Sequence, residues 1–329
     1  MLRTVAARHD RFALKSPFRI ARGVKTAADV VTVEISEGEQ TGRGEGVPYP
    51  RYGETINDAL ADITAVIAAL SGGAGREELQ ALMPPGAARN AVDGALWDLE
   101  AKLAGKTIAQ MLGQQPLAPI ETAVTIGIDT PEAMHRAALA LGPVPLVKVK
   151  VDSLMVADRI AAVRAALPAA RMIVDPNESW TMALVAEMQP VLIEARVGLL
   201  EQPLPADADA GLAEFEPLVP ICADESAHGV ADLPRLRGRY DYVNIKLDKT
   251  GGLTGALVFA QAAEAAGFGL MLGCMVCSSL GIAPALAIAG RATFVDCDGP
   301  WWLAHDREGG VRIEGGMLYP PAPGFWGGI

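Results

Sequence analysis

Six charged residues recur along the chain, each closing a short apolar run: Lys150, Asp175, Glu201, Asp224, Lys246 and Asp296. The first five follow one another at intervals of 22 to 26 residues, and the last gap is about twice as long. A strand, a helix and their turns need about that length, so the series reads as one functional group per strand end of a repeating βα fold. The long gap has room for one further strand, near Leu270 to Leu272.

The runs also alternate. In Val147-Lys148-Val149-Lys150-Val151 the valines share one parity and the lysines the other. With the valines packed against outer helices, both ammonium groups point into the mouth of a barrel. The same parity groups Asn244 with Lys246 and Asp248, Leu199 with Glu201, Cys222 with Asp224, and Asp296 with Asp298. An antiparallel sheet with one wet face also alternates Lys and Val, so the two lysines alone do not decide. The single acids that end Ile173-Val174-Asp175, Leu199-Leu200-Glu201 and Ile221-Cys222-Ala223-Asp224 do, because a parallel sheet buries both faces and punishes charge within its strands.

A chain of 329 residues, half of them hydrophobic, suits a barrel plus a smaller domain. The expected fold class is α/β, a modified (β/α)7β-type TIM barrel with an α+β capping domain. Strand-like residues from Leu2 to about Val47, with Val30 to Ile35 clearest and Gly42, Gly44 and Gly46 as punctuation, precede helical stretches at Thr55 to Leu70 and Ala87 to Leu103. The capping domain is therefore drawn over 1–116, the barrel over 117–308, and a return segment to the first domain over about 309–329, with Val311 to Ile313 as its strand.

Charge and composition exclude several partners. With 28 basic against 39 acidic residues the net charge is −11, which argues against nucleic acid and against an anionic membrane surface. Met1 to Asp10 carries Arg3, Arg8 and His9 without an apolar core, and no run of about 18 uncharged apolar residues occurs, so a cytoplasmic, soluble protein is expected. The oligomeric state is left open, a homo-oligomer included. Cys274-x-x-Cys277 has no second pair or neighbouring histidine, which favours buried thiols over zinc or redox chemistry.

Asp175, Glu201 and Asp224 on three successive strands give an all-oxygen site suited to Mg²⁺, with Asn177 and Glu225 close enough to support it. Lys150 and Lys246 bracket these acids, the arrangement needed to move a proton from one face of a carbon to the other beside a metal-held carboxylate. Salt bridges between the lysines and the same acids are the plain alternative. Lys148 offers a way to keep Lys150 neutral: at about 6 Å and an effective dielectric of about 20, a second ammonium opposes protonation by about 3 kcal/mol, or about two pKa units. Asp296 and Asp298, at the last strand end, suit a substrate ammonium.

These residues lie in stretches that resemble the enolase superfamily, muconate-lactonizing subgroup: GRGEGVPYPRYGET (42–55), AARNAVDGALWDLEAK (87–102), LVKVKVD (146–152), IVDPNESW (173–180), LLEQPLP (199–205), ICADES (221–226), NIKLDKTGGLT (244–254), LMLGCM (270–275) and DCDGP (296–300). The resemblance implies a capped barrel with a truncated final unit, one Mg²⁺ on Asp175, Glu201 and Asp224, and Lys150 and Lys246 as acid/base catalysts facing the L and D epimers respectively. It further implies a dipeptide substrate whose free amino group meets Asp296 and Asp298. The implied activity is epimerisation of the glutamyl α-carbon of L-Ala-D/L-Glu, in murein peptide recycling. Other dipeptides are the first alternative, then a cycloisomerase or N-acylamino acid racemase, which has no obvious use for Asp296 and Asp298. A barrel that only binds stands last. Loops around Phe18 to Lys25 and Pro48 to Thr55 are expected to close over the ligand, with Arg22 the candidate for the glutamyl side chain and Arg19, Lys25 and Arg51 competing.

Overall fold

The computed structural model describes residues 2–328. The chain opens with an antiparallel meander, β1 (Thr4–Ile20), β2 (Gly23–Glu37) and β3 (Gln40–Gly46), in spatial order β1-β2-β3. Val31, Val33 and Ile35 of β2 pack against α1 (Ile56–Ser71), α2 (Arg76–Leu82) and α3 (Ala87–Ala104), while Ala28 and Val30 join the core shared with the barrel. Both faces of β2 are thus buried, which is why this stretch is a nearly unbroken apolar run.

Gly42, Gly44 and Gly46 are not turn punctuation. They sit within β3, where a Cβ would come 2.1 Å from Ala95 O, 2.1 Å from Ala91 O and 2.0 Å from Ala87 O respectively. Alternate residues of a strand recur about every 6.6 Å and every fourth residue of a helix about every 6 Å, so three glycines match three turns of α3 backbone to backbone.

Eight parallel strands follow β4 (Ile120–Glu121): β5 (Val124–Ile126), β6 (Leu146–Lys150), β7 (Arg171–Asp175), β8 (Leu199–Glu201), β9 (Ile221–Ala223), β10 (Tyr242–Ile245), β11 (Gly269–Gly273) and β12 (Phe294–Asp296). They pair strictly in sequence order, and Ala123 N donates to Val295 O at 2.8 Å to close the ring. Full helices cross between most strands, as at Pro131–Leu141, Val156–Ala166, Met182–Glu194 and Leu253–Ala265, but only a 3₁₀ turn at Ala210–Glu214 separates β8 from β9. Among the described residues only a 3₁₀ turn at Gly299–Trp302 follows β12, with no α-helix, so the barrel is of the (β/α)7β kind.

The barrel interior is layered. Ala123, Leu146, Ile173, Leu199, Cys222, Met271 and Phe294 form one buried apolar cluster. Two residues further along five of these strands come Lys148, Asp175, Glu201, Asp224 and Asp296. An apolar plug thus carries a charged floor, as period-two alternation requires.

The strand at Val311 to Ile313 forms one residue later, as β13 (Arg312–Glu314), and its partner differs from the sequence expectation. It pairs with β14 (Met317–Tyr319), which pairs with β4 beside the barrel. The residues that reach back to the first unit come later: Trp326 Nε1 donates to Gly94 O at 3.1 Å and Gly327 N to Asp98 Oδ1 at 2.8 Å. Among the described residues no helix is long and apolar enough to cross a membrane.

Candidate active site

The strand ends bring most of the predicted groups to one cleft, with Asp175, Glu201 and Asp224 buried in its floor beneath the lysines. Lys148, Lys150, Asn177, Glu225, Lys246, Asp296 and Asp298 line it from the barrel, and Phe18, Ile20, Arg22, Lys25, Tyr49 and Tyr52 from the first unit. Phe18 to Lys25 is not a free loop but the tip of the β1–β2 hairpin, turning at Ala21 and Arg22. The Pro48 to Thr55 segment is tied to α3 by Glu54, which accepts from Tyr49 N at 2.9 Å and Ala87 N at 2.8 Å.

On the floor, each lysine has an acid partner. Lys150 and Asp175 are direct neighbours in the β6–β7 register, and Lys150 Nζ lies 2.5 Å from Asp175 Oδ2 and 3.0 Å from Asn177 Oδ1. Lys246 Nζ donates to Asp224 Oδ2 at 2.7 Å. Burial works to lower the Lys246 pKa, but Asp224, helped by Glu201 and Tyr52, holds the ammonium well above the ordinary lysine value. Lys148 lies 2.6 Å from Glu201, 2.7 Å from Asp296 and 3.1 Å from Asp175. Lys148 is thus a counter-ion to three carboxylates on the floor, which offset the like charge it was expected to set against Lys150.

Asp175, Glu201 and Asp224 are almost wholly buried. Their backbones turn sharply beyond the strands, with Asn177, Glu178 and Gln202 in the left-handed region at φ 47°, 69° and 33°. Gln202 turns its side chain to the segment just beyond β9, accepting from Asp224 N at 2.8 Å and Ser226 N at 3.0 Å. Burial and the neighbouring Asp175 push the Glu201 carboxyl up to about 7, whereas Lys150 and Lys148 bring Asp175 down to about 2 against the effect of its burial.

Among the described residues no three His, Cys, Asp or Glu side chains are gathered closely enough to grip an ion as they stand. The donor set nevertheless fits a hard cation. It is all carboxylate and buried, and positive charge is already drawn between Glu201 and Asp175 in the form of Lys148, whose Nζ lies 2.6 Å from Glu201 Oε2.

Asp296 and Asp298 differ in their commitments. Asp296 uses Oδ2 on Lys148 and leaves Oδ1 buried without a partner. Asp298 Oδ2 accepts from Thr125 N at 2.7 Å, and burial together with Asp296 pushes its carboxyl up to about 7. Arg22 is already engaged, 2.6 Å from Glu225 Oε1 and 3.0 Å from Glu178 Oε2, and Arg51 pairs with Glu178 as well. Glu225 therefore serves Arg22, and its Oε2 is buried without a partner. Lys25 makes no ion pair among the described residues; its amino group lies 4.7 Å from the Tyr49 ring centre, and burial lowers its pKa. Arg19 is not among the residues lining the cleft.

Three residues outside the strand-end series also shape the site. Lys249 Nζ, fully buried, reaches Asp224 Oδ1 at 2.7 Å and Asn244 O at 2.9 Å from the helical turn Leu247–Thr250. The same turn carries Asp248 away from the mouth, contrary to its parity, to accept from Val47 N at 2.9 Å and Asn90 Nδ2 at 2.8 Å. Gly273 makes room for Asn244 and Lys246, since a Cβ there would stand 2.6 Å from Asn244 Oδ1 and 3.0 Å from Lys246 Cε.

The mandelate racemase / muconate lactonizing enzyme N-terminal domain matches residues 2–113, and the enolase C-terminal domain-like family matches residues 131–325. The chain belongs to the enolase superfamily. It is 46% identical to the L-Ala-D/L-Glu epimerase of Escherichia coli (strain K12) across 97% of this chain and 100% of that one. It is 44% identical to the N-acetyl-D-glutamate racemase of a Pseudoalteromonas species, covering 91% and 95% of the two chains. An enolase family member from Agrobacterium tumefaciens with homology to dipeptide epimerases, solved with sodium and L-Ala-L-Glu, superposes with a TM-score of 0.96 at 50% identity, covering 99% and 100%. A dipeptide epimerase from Methylococcus capsulatus, complexed with Mg and L-Arg-D-Lys, gives 0.90 at 32% identity, covering 99% of each chain. Epimerases and racemases are isomerases, and this superfamily member is an isomerase.

Proposed function

We propose that the protein epimerises L-Ala-D/L-Glu at the glutamyl α-carbon by proton transfer between two lysines, in the turnover of murein peptides. The observation that carries the reading is the placement of Lys150 and Lys246 on either side of three buried acids. Asp175, Glu201 and Asp224 would hold Mg²⁺, which, when bound, supplies positive charge against the substrate carboxylate as the α-proton leaves. Lys150 takes the proton from one face of the α-carbon and Lys246 returns one to the other; the reverse reaction exchanges their roles. Asn177, bonded to both Lys150 and Asp175, fixes the first amine beside its acid.

The orphaned Oδ1 of Asp296 favours a substrate with a free ammonium, hence a dipeptide rather than an N-acyl amino acid. Lys25, a cation of the cleft wall without an ion pair among the described residues, is suited to the glutamyl side-chain carboxylate, with Arg22 beside it held by Glu178 and Glu225. A second reading, racemisation of N-acetylglutamate, keeps the same side-chain contact and is favoured by the Pseudoalteromonas relative.

Incubation with Mg²⁺ in deuterium oxide tests both readings. L-Ala-L-Glu gains deuterium at the glutamyl α-carbon while its optical rotation decays, and N-acetylglutamate exchanges far more slowly. Absence of exchange on every dipeptide, with Mg²⁺ bound, overturns the proposal; faster exchange of N-acetylglutamate selects the second reading.

A further inference from the structure

Three of the four cysteines converge on one wall of the cleft. Cys274 lines the cleft and is half-buried, whereas Cys277 and Cys297 are buried behind it. Gly273 and Asp296 are partners in the β11–β12 register, so Cys274 and Cys297 are the next residues on two adjoining strand ends. Neighbouring strands run about 4.8 Å apart, and a disulfide accepts Cα separations of about 4.4–6.8 Å. The neighbouring Cys277 and Cys297 thiols draw Cys274 well below the ordinary thiol pKa while their own stand well above it. The thiolate, the reactive form, is thus concentrated on the one cysteine that faces the cleft.

Cys277 is the poorer partner. Its sulfur is wedged between Gly281 and Gly299, where a methyl group on either glycine would come within 3.1 Å and 3.0 Å of it. Cys297 sits between Asp296 and Asp298, so a bond at its sulfur pulls on both.

We propose that Cys274 and Cys297 form an oxidant-sensitive pair whose disulfide shuts the cleft by displacing Asp296 and Asp298. With hydrogen peroxide as oxidant, the Cys274 thiolate attacks one oxygen, breaking the O–O bond and giving a sulfenic acid and a first water after protonation. The Cys297 sulfur then attacks the Cys274 sulfur, the S–S bond forms, and the hydroxyl leaves as a second water with the Cys297 proton. Two electrons pass from the thiols to the peroxide.

This inference rests on the proposed function only for its activity readout. The Mg²⁺-loaded protein is treated with hydrogen peroxide, quenched with iodoacetamide and mapped by peptide mass. The expected result is loss of two hydrogens, a Cys274–Cys297 linked peptide, and a fall of about tenfold or more in L-Ala-L-Glu exchange that dithiothreitol restores. Cys297→Ala keeps its exchange rate through the same treatment. A bond mapped to Cys277, loss of activity with Cys274 and Cys297 both still alkylated, or full activity in the cross-linked protein overturns it. If the untreated protein exchanges no dipeptide, the functional reading fails, and the peptide map still decides whether the bond forms.

Discussion

Lys150 closes β6 and Lys246 follows β10, and of the three strands between them two end at Asp175 and Glu201 and the third just before Asp224. Two amines so placed have separable tasks. Lys246→Ala is expected to abolish inversion, by about a thousandfold or more, while Lys150 still exchanges the α-proton of L-Ala-L-Glu for deuterium without inverting it. Lys150→Ala gives the mirror result, exchange confined to L-Ala-D-Glu. Proton NMR and chiral chromatography on the same samples separate exchange from inversion, and a variant that still inverts rules out the two-base scheme.

Glu201 gives the metal dependence a direction. Its carboxyl is pushed up to about 7 by burial and Asp175, so below that pH a cation must displace a proton to bind. Mg²⁺ affinity measured by calorimetry is expected to fall by about tenfold per pH unit below about 7 and to level off above it. Chelation should abolish exchange at every pH. An affinity that does not change between pH about 6 and about 8 counts against Glu201 as a ligand.

Selectivity for a glutamyl side chain is expected to depend on Lys25. Lys25→Gln should lower kcat/KM for L-Ala-L-Glu by about tenfold or more and leave L-Ala-L-Gln within about threefold, because only the charged side chain loses a partner. Arg22→Met should impair both substrates, since Glu178 and Glu225 lose the guanidinium that pairs them. Equal losses on the two substrates for Lys25→Gln would move the carboxylate contact elsewhere.

Asp248 is a buried acid away from the chemistry, pushed up to about 7 from 3.8 mainly by burial. A raised carboxyl pKa means that the folded state holds the proton more tightly, so stability falls as pH rises from about 4 to about 7. Both hydrogen bonds go to Oδ1. Asp248→Asn keeps that acceptor and removes the charge, so it is expected to stabilise the protein by about 1–3 kcal/mol at pH 8, the gain vanishing toward pH 4. Urea unfolding at the two pH values measures it.

The charged floor was legible because a barrel strand announces its inward face by alternation and its end by an ionisable group. Leu146, Lys148 and Lys150 share one face, and the rule holds wherever the backbone stays extended to the end of the run. It failed at Asp248, where the chain enters a helical turn just beyond β10. Lys249, on that turn, carries no periodic signature that distinguishes it from a surface lysine. Nor does sequence separate a glycine that turns the chain from one that admits a neighbour, as the three glycines of β3 and Gly273 do. Ion pairs were hardest to see: nothing in Val147-Lys148-Val149 reveals that three carboxylates on other strands surround Lys148. The partner of Val311 to Ile313 was likewise invisible, because a short strand's pairing is decided by tertiary contacts.

The backbone contact of β3 with α3 leaves no side-chain layer through which the two could slide. Whatever accommodates a new ligand must therefore happen at the margins of this slab, in the hairpin tip that bears Arg22 and Lys25 and the segment that bears Tyr49 and Tyr52. Variation there alters what the mouth accepts while the catalytic floor keeps its form, so a laboratory search for new substrates belongs in those few positions and not in the frame that carries them.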